Sequence, residues 1–420
     1  MNITISNKLY LTGFDQGFYK HLENRLTFKN PKWTENEHQG RWQGETPEHL
    51  KAYEYSDNCF IAPRGFIRQV ISVCRKDGKS FQIEDNRREF PEVDFPFAGT
   101  LKPYQQQAVF DMLSHDFGTL AAPTGSGKTV MALYLIFARR QPALIVVHTK
   151  ELLNQWIDRI ERFLGIPRSE IGIIGAGKKE VGEKITVATV QTLYKNPDVS
   201  KHIGYLVVDE SHRCPSRTFT EAVTAFDSKY MLSMSATPYR KDGLSRLIYW
   251  YTGDCHHTVD RDMLIETGDI LKPTVYWRKT GYTTSINPSE QYSKMLTELT
   301  QDPERNNFIA DDIAGAYKND GVLLVLSDRK SHCEDIRATL LINHGIDADV
   351  LTGDLSKTKR LDLVERLNTG KVKVLCATGQ LIGEGFDCPA LTTLFLATPV
   401  KFSGRLLQYV GRVLRPEPGK

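Results

Sequence analysis

The stretch Ala-Pro-Thr-Gly-Ser-Gly-Lys-Thr, residues 122–129, is the most informative part of this 420-residue chain. It follows an apolar run at residues 117–121 and precedes an apolar helical pattern at residues 130–139. Gly125 and Gly127 can adopt backbone angles that a Cβ forbids, so the loop can wrap a phosphate with its N–H groups. An alanine stands where the strict pattern has its first glycine, and an ordinary glycine-rich turn is the competing interpretation. The order of strand, loop and helix favours a nucleoside-triphosphate site.

The last residues of this loop have separate predicted roles. Lys128 would reach the β- and γ-phosphates, and Thr129 would offer its hydroxyl to Mg²⁺ at the helix N-terminus. The predicted nucleotide-binding residues of the loop are Thr124, Gly125, Ser126, Gly127, Lys128 and Thr129.

Length and composition restrict the class of protein. A chain of 420 residues is too long for one core and predicts two or three domains. The net charge of +3 gives no bulk electrostatic reason to expect nucleic acid, so such binding would depend on local basic stripes. Seven cysteines without a Cys-x-x-Cys pair favour reduced thiols. The apolar runs are too short to span a bilayer and the first residues do not match a signal peptide, which predicts a cytoplasmic protein.

The apolar rhythm predicts an α/β fold with three domains. Residues 1–95 combine short β-prone segments with one helix and are predicted to form a small α+β accessory domain. Residues 96–268 and 269–420 alternate apolar strands with amphipathic helices, which predicts two tandem parallel sheets with flanking helices. Strands are predicted at residues 3–11, 53–55, 58–62, 81–83, 118–121, 143–148, 185–189, 205–208, 231–235, 274–277, 322–327, 349–351, 372–377 and 393–397, and helices at 66–73, 104–114, 130–139 and 150–163. Only the first parallel sheet has a phosphate loop, so the second is expected to complete the site.

Cations and aromatic residues alternate in the N-terminal segment. Lys29, Lys32 and Arg41 are interleaved with Trp33 and Trp42, a mixture that can stack bases and hold phosphates. The segment carries equal numbers of basic and acidic side chains, so the same residues also fit a small core with a solvated surface. Both interpretations stay open.

An acidic pair follows another apolar strand. Asp209 and Glu210 come directly after the run that ends at Val208, and ligands of open α/β sheets bind at the carboxyl ends of the strands. Asp209 could hold Mg²⁺, and Glu210 could orient and deprotonate an attacking water. Such a pair alone is often a solvated loop, but a phosphate loop in the same sheet favours the catalytic interpretation.

Two arginines near the end of the chain are candidates for completing the site. Arg412 and Arg415 lie three apart in residues 408–415, and so on one face if this stretch is a helix. Such arginines could stabilise the transferred phosphoryl group and raise the rate of phosphoryl transfer by a factor of about 10³–10⁵. A basic tail in solvent is the alternative. The sequence Ser-Ala-Thr-Pro at 235–238 ends a further strand and could link nucleotide state to another process, or form only a turn.

In their order along the chain, these motifs resemble those of superfamily 2 helicases of the DEAD/DEAH type, from residue 97 onward. The matching stretches are LKPYQ at 101–105, APTGSGKT at 122–129, HTKELLNQW at 148–156, VATVQT at 187–192, DESH at 209–212, SATP at 235–238, LSDR at 326–329, ATGQLIGEGFDCP at 377–389 and QYVGRVLR at 408–415. The resemblance implies two RecA-like P-loop domains with ATP as the nucleotide. It also assigns adenine reading to Gln105, ribose contact to Asp387, catalysis to Gln408 with Arg412 and Arg415 as arginine fingers, coupling to His212, Ser235 and Thr237, and nucleic-acid contact to Thr149, Thr189 and Thr378.

The stretch SATPYRKDG at 235–243 narrows the resemblance to excision-repair helicases and type III restriction translocases. The excision-repair group has Arg-Glu-Asp where this chain has Arg240-Lys241-Asp242, which puts the role of that motif in doubt. With GRWQGETP at 40–47 and IAPRGF at 61–66, the chain is most similar to phage branch-migration DNA helicases. Relatives usually continue with another strand after the last motif, which leaves open a natural chain that extends past Lys420.

The sequence therefore predicts an ATP-dependent DNA helicase or translocase that unwinds or branch-migrates forked and junction DNA in repair, recombination or replication. The expected partners are single-stranded, forked or junction DNA and repair or replication proteins. The protein is expected to be a monomer that does not associate with a membrane. Its expected location is the cytoplasm of the cell or of a phage host. An RNA helicase is one alternative, because only contacts to the 2′-hydroxyl distinguish RNA at a site. An ATP-gated clamp that binds nucleic acid without unwinding is the other.

Overall fold

The structure, a computed structural model, describes residues 1–38, 40–213, 217–236, 243–319, 321–379, 388, 390–400, 406 and 409–411. It divides into two compact units. The first comprises Met1–Pro123 and Gly127–Val259, and the second comprises Thr124–Ser126 and Asp260–Lys420. The domain limits predicted after residues 95 and 268 stay predictions.

The N-terminal part of the first unit is an α+β layer. Its strands are β1 (Asn2–Ile5), β2 (Lys8–Thr12), β3 (Thr27–Lys29), β4 (His49–Lys51), β5 (Glu54–Ser56), β6 (Cys59–Pro63) and β7 (Gln82–Asp85), and its helices are α1 (Gln16–Leu26), α2 (Pro31–His38) and α3 (Ile67–Lys76). Five strands form one sheet in the order β5-β6-β2-β1-β7, and β3 pairs with β4 separately. Only β1 and β7 run parallel in the larger sheet.

Two features of this layer differ from the sequence prediction. The single strand predicted at 3–11 is a hairpin of β1 and β2, because the chain turns at Ser6, whose N–H donates to the Lys8 carbonyl at 2.9 Å. Helix α1 was not predicted, although Phe18, Leu22 and Leu26 are buried at helical spacing. The helix predicted at 66–73 is confirmed as α3.

The remainder of the first unit is built on an eight-stranded sheet. Its strands are β8 (Phe117–Ala121), β9 (Ala143–Val147), β10 (Gly172–Gly175), β11 (Lys178–Glu180), β12 (Ile185–Thr189), β13 (Tyr205–Val208), β14 (Tyr230–Ser235) and β15 (Cys255–Thr258), and its helices are α4 (Pro103–Leu113), α5 (Lys128–Arg139), α6 (Lys150–Leu164), α7 (Val190–Leu193), α8 (Arg217–Thr224) and α9 (Ser245–Thr252). The order is β11-β10-β12-β9-β13-β14-β8-β15, and every neighbouring pair except β10 with β11 is parallel. Every residue of β9, β12 and β13 is buried, as a sheet covered on both faces requires. The five strands predicted here are confirmed.

The second unit contains a smaller parallel sheet. Its helices are α10 (Arg261–Glu266), α11 (Pro288–Gln301), α12 (Pro303–Tyr317), α13 (Lys330–His344) and α14 (Lys357–Asn368), and its strands are β16 (Val322–Ser327), β17 (Asp349–Leu351), β18 (Val374–Thr378) and β19 (Leu391–Leu396). The order is β17-β18-β16-β19, with all pairs parallel. The two parallel sheets confirm the predicted α/β class. Among the described helices, none is both long and apolar enough to cross a membrane.

The strand predicted at 274–277 is wrong. Residues 271–284 belong to no helix or strand, and Tyr276 and Trp277 are 81% and 93% exposed. The prediction extended the apolar rhythm of the chain to these β-prone side chains, which favour a strand only where they can pack on a half-buried pleated surface.

A buried arginine joins the N-terminal layer to the eight-stranded sheet. Arg64 donates from Nη1 to the Ser228 carbonyl at 2.8 Å and lies over the Phe117 ring at 5.5 Å. The next residue, Gly65, is in close contact with α9, since a Cβ there would lie 2.2 Å from the Tyr249 carbonyl oxygen. These contacts explain why the two layers form one compact unit.

We expect Arg64→Ala to lower the stability of the first unit by about 3 kcal/mol, since it removes a charged donor and leaves buried carbonyl groups unsatisfied. Arg68→Ala is the matched control, because Arg68 pairs with Asp254 at 3.2 Å on the surface and an exposed pair contributes about 1 kcal/mol or less. Urea unfolding of both variants measures the difference. Equal losses would contradict the role given to Arg64.

Candidate nucleotide site

The loop between β8 and α5 has the backbone that a phosphate cradle requires. Gly125 and Gly127 have φ values of +93° and +79°, in the left-handed region where a side chain is strained. Gly127 directly precedes α5, whose first N–H groups have no carbonyl partner within the helix. Such N–H groups, together with the helix dipole, favour an anion at this end of the helix.

Gln105 lies against the phosphate loop. It is buried on α4, and its Oε1 accepts a hydrogen bond from the Lys102 N–H at 3.0 Å. A Cβ on Gly127 would lie 2.4 Å from the Gln105 Nε2, so the glutamine amide occupies the space beside the loop. The adenine-reading role of Gln105 stays a prediction.

Lys128 and Ala122 link the two ends of the loop. The Lys128 Nζ donates to the Ala122 carbonyl at 2.9 Å, and the Ala122 N–H donates to the Ser235 carbonyl at 3.0 Å. The loop is therefore anchored at the end of β14, with the lysine folded over it.

Asp209 is buried at the carboxyl end of β13 and is held at both oxygens. Its Oδ2 accepts from the Trp156 Nε1 at 2.9 Å, and its Oδ1 accepts from the Glu210 N–H at 2.9 Å. Burial raises the pKa of the Asp209 carboxyl and the Glu210 charge adds to this, while the bond from Trp156 and the charge of Lys128 act in the opposite direction. Helix α5, which begins at Lys128, packs against β13, so the loop and the acidic pair lie at the same part of the sheet.

Glu210 has the left-handed φ value of +53°, which is uncommon for a residue with a side chain and is typical of functional sites. Its Oε2 lies 3.2 Å from the His212 Nδ1, and the same nitrogen lies 3.2 Å from the Ser235 Oγ. His212 therefore bridges the ends of β13 and β14. The structure brings together two of the three residues predicted to couple the site, and the third, Thr237, lies outside the described residues.

The three threonines predicted to contact nucleic acid each follow or end a parallel strand. Thr149 caps α6, with its Oγ accepting from the Leu152 N–H at 3.2 Å. Thr189 ends β12, is buried, and donates its hydroxyl to the Thr192 Oγ at 3.0 Å. Thr378 ends β18 in the second unit and is half-buried. Their role in nucleic-acid contact stays a prediction.

Four other predicted site residues, Asp387, Gln408, Arg412 and Arg415, lie outside the described residues. Sequence reasoning gave no role to Trp156, although this residue stands in one of the quoted motifs. Its indole is 2% exposed, and a buried indole N–H needs an acceptor, which is the signal that could have identified it.

The residues present fit a magnesium ion bound with a nucleotide. Asp209 and Thr129 offer carboxylate and hydroxyl oxygens, the ligand type that Mg²⁺ prefers, and α5 packs against β13. Within the described part of the chain, no cluster of three or more His, Cys, Asp or Glu side chains could hold a metal. A site for Mg²⁺ with one or two protein ligands and substrate phosphates does not need such a cluster.

Comparisons with known proteins place the chain in a family. Residues 98–240 match the family "Type III restriction enzyme, res subunit", and residues 306–417 match "Helicase conserved C-terminal domain". A protein of Invertebrate iridescent virus 3, "Putative helicase 109L", is 30% identical over 234 residues, which cover 53% of this chain and 67% of that protein. The chain belongs to the superfamily 2 helicases, a class of ATP-hydrolysing enzymes, which confirms the family that the ordered motifs predict.

The names of two further relatives refer to different nucleic acids, RNA in one and DNA in the other. "Putative ATP-dependent RNA helicase L396" of Acanthamoeba polyphaga mimivirus is 29% identical over 344 residues, 78% of this chain and 64% of that protein. "DNA 3'-5' translocase XPB2" of Sulfurisphaera tokodaii is 24% identical over 381 residues, 80% of this chain and 84% of that protein. The chain thus spans less than two thirds of the mimivirus relative.

Gly127→Ala tests the loop geometry. A Cβ there would meet Gln105 and would also be strained at positive φ, so we expect ATP binding to weaken by about tenfold or more. Gly78→Ala is the control, since Gly78 has a φ of +65° but nothing lies within 4 Å of its Cβ position. Titration calorimetry with Mg·ATP compares the two. The interpretation fails if both variants bind ATP as well as the unchanged protein does.

Proposed function

We propose that the chain is an ATP-driven DNA translocase that unwinds or branch-migrates forked and junction DNA. The observation that carries the ATP-dependent part is the set of groups at one edge of the sheet. The phosphate loop follows β8, the acidic pair follows β13, and Ser235 ends β14. His212 contacts both Glu210 and Ser235 at this edge.

The side chains of this edge divide the work of phosphoryl transfer between them. Lys128 would leave the Ala122 carbonyl for the β- and γ-phosphates, which offer it a stronger, charge-assisted hydrogen bond. Thr129 and Asp209 would hold Mg²⁺, which when bound neutralises charge on the phosphate oxygens. Glu210, supported by His212, would orient the attacking water and accept its proton.

The roles proposed for the remaining site residues come from the resemblance to superfamily 2 helicases. Arg412 and Arg415 would act as arginine fingers with Gln408, and Asp387 would contact the ribose. Ser235 and Thr237 would pass the state of the nucleotide to the nucleic-acid contacts.

The choice of DNA depends on the sequence motifs and on a relative. The similarity to phage branch-migration and excision-repair helicases favours DNA, as does the name of the Sulfurisphaera protein. The N-terminal layer offers a stacking surface, since Trp42 is 90% exposed and the Lys29 Nζ lies 5.0 Å from the Trp33 ring centroid. Lys29 also lies 3.6 Å from Glu37, so the surface is mixed in charge and suits bases more than phosphates. We further propose a cytoplasmic monomer that works with repair or replication proteins.

An RNA helicase is the second candidate, because the mimivirus relative carries that name. The groups at the edge of the sheet act on ATP and do not distinguish the two sugars, which differ only by the 2′-hydroxyl. The two candidates therefore share the ATP site and differ in the nucleic-acid contacts.

Lys128→Ala is expected to abolish ATP turnover while leaving DNA binding largely intact, since the lysine contacts phosphate and not the nucleic acid. Lys8→Ala is the control, because Lys8 pairs with Glu54 at 2.8 Å on the surface of the N-terminal layer. The measurements are steady-state ATPase and fluorescence anisotropy with labelled DNA. Normal turnover in the Lys128 variant would refute the assignment of the site.

A strand-displacement assay separates the proposed functions. With forked and four-way DNA, we expect ATP-dependent separation or branch migration, and ATPase stimulation by DNA that exceeds stimulation by RNA of equal length. Greater stimulation by RNA would favour the RNA helicase. Stimulated ATPase without any strand displacement would favour an ATP-gated clamp.

A further inference from the structure

Helix α6 of the first unit contacts the acidic pair that follows β13. Helix α6 packs its apolar face on the sheet, with Leu153, Trp156 and Ile157 buried. Nε1, the one polar atom of the Trp156 side chain, lies 2.9 Å from the Asp209 Oδ2. The two residues are 53 positions apart in the sequence, so this contact depends on the packing of α6 and not on local geometry.

Asp209 takes its orientation from two donors of different origin. The Glu210 N–H holds Oδ1 and belongs to the same turn, so it can fix the carboxylate only as well as that turn is fixed. The Trp156 indole holds Oδ2 and is itself held by the packing of a 15-residue helix. A rigid aromatic ring with one donor is well suited to set the plane of a carboxylate, because it has only two side-chain torsions to immobilise.

The same helix begins at a predicted nucleic-acid contact. Thr149 caps α6, and Trp156 lies seven residues further on, a distance of about 10 Å along the axis at 1.5 Å per residue. A close-packed helix moves as a unit, since protein interiors transmit displacement with little compression. A shift at the capped end would therefore move the indole relative to Asp209.

We propose that Trp156 is a positioning residue that orients Asp209 for Mg²⁺, and that α6 links this orientation to nucleic-acid contact at Thr149. The proposal rests on the proposed function, which gives Asp209 its metal and Thr149 its nucleic acid. Trp156 touches neither substrate in this scheme and acts through the carboxylate. Mutation of a partner that orients a metal ligand in this way typically costs about 10–100-fold in metal affinity or activity.

Trp156→Phe removes the N–H donor and keeps an aromatic ring in the core. We expect the Mg²⁺ concentration for half-maximal ATPase to rise about tenfold, the lower range for loss of such an orienting partner. Trp250→Phe is the matched control, since Trp250 is buried on α9 against Phe28 and Phe66, in the core of the N-terminal layer. An unchanged Mg²⁺ requirement in the Trp156 variant, or the same rise in both variants, would overturn the proposal.

A spectroscopic measurement observes the Trp156 indole directly and does not depend on turnover. The chain has five tryptophans, so ¹⁵N-tryptophan labelling gives five indole N–H signals in the unchanged protein. Adding Mg²⁺ to the ADP complex is expected to shift one of them, the signal that is lost in Trp156→Phe and retained in Trp250→Phe. If no indole signal moves, the positioning role is refuted.

The same signal tests the link through α6. Single-stranded DNA added without nucleotide is expected to shift the signal that responds to Mg²⁺, and a bound DNA that leaves it unmoved would overturn the link. A failure of the proposed function gives a different result, because the protein without substitutions would then show no ATPase stimulation by DNA. The shift of the indole signal on adding Mg²⁺ to the ADP complex requires only nucleotide binding.

Discussion

Parallel pairing of β8, β14, β13 and β9 is the constraint on which the site depends. In a parallel sheet the carboxyl ends of the strands meet at one edge, so groups far apart in sequence become neighbours. The register places Ser235 opposite Ala121, and the backbone continues the pairing beyond the strands, with the Asp209 N–H donating to the Val146 carbonyl at 3.0 Å. Main-chain hydrogen bonds therefore position the loop, the acidic pair and Ser235 relative to one another.

Side chains stabilise two neighbouring carboxylates, Asp209 and Glu210, at an edge of the sheet where burial disfavours charge. A buried carboxylate beside Glu210 has a raised pKa, and its ionised form is supported by the Trp156 donor and the charge of Lys128. The left-handed backbone at Glu210 adds strain at the same place. Strain and buried charge at the carboxyl end of a fully buried apolar strand are typical of a functional site.

The local pattern of the sequence was sufficient for the elements that bury continuous apolar runs. Strands β9 and β13 were predicted from continuous apolar runs, and in the structure every residue of both strands is buried. The phosphate loop was predicted from its two glycines, and both have positive φ values. The same reasoning failed at 274–277, where β-prone side chains are exposed. The bond from Trp156 to Asp209 was not predicted, because periodicity reports which face of α6 is buried and not what lies opposite it.

Arg64 shows how much of the architecture lies beyond such local patterns. Arginine side chains are mostly exposed, yet Arg64 is buried, and its carbonyl partner Ser228 is 164 residues away. Burial lowers the pKa of the guanidinium, because the charged form loses its hydration, and the hydrogen bonds to carbonyl oxygens offset part of that loss. An interface with such a group resists sliding more than an apolar one, since small displacements leave a desolvated charge without acceptors. The N-terminal layer is thus fixed by a buried charge to the sheet from which the glycine-rich loop at 122–129 extends.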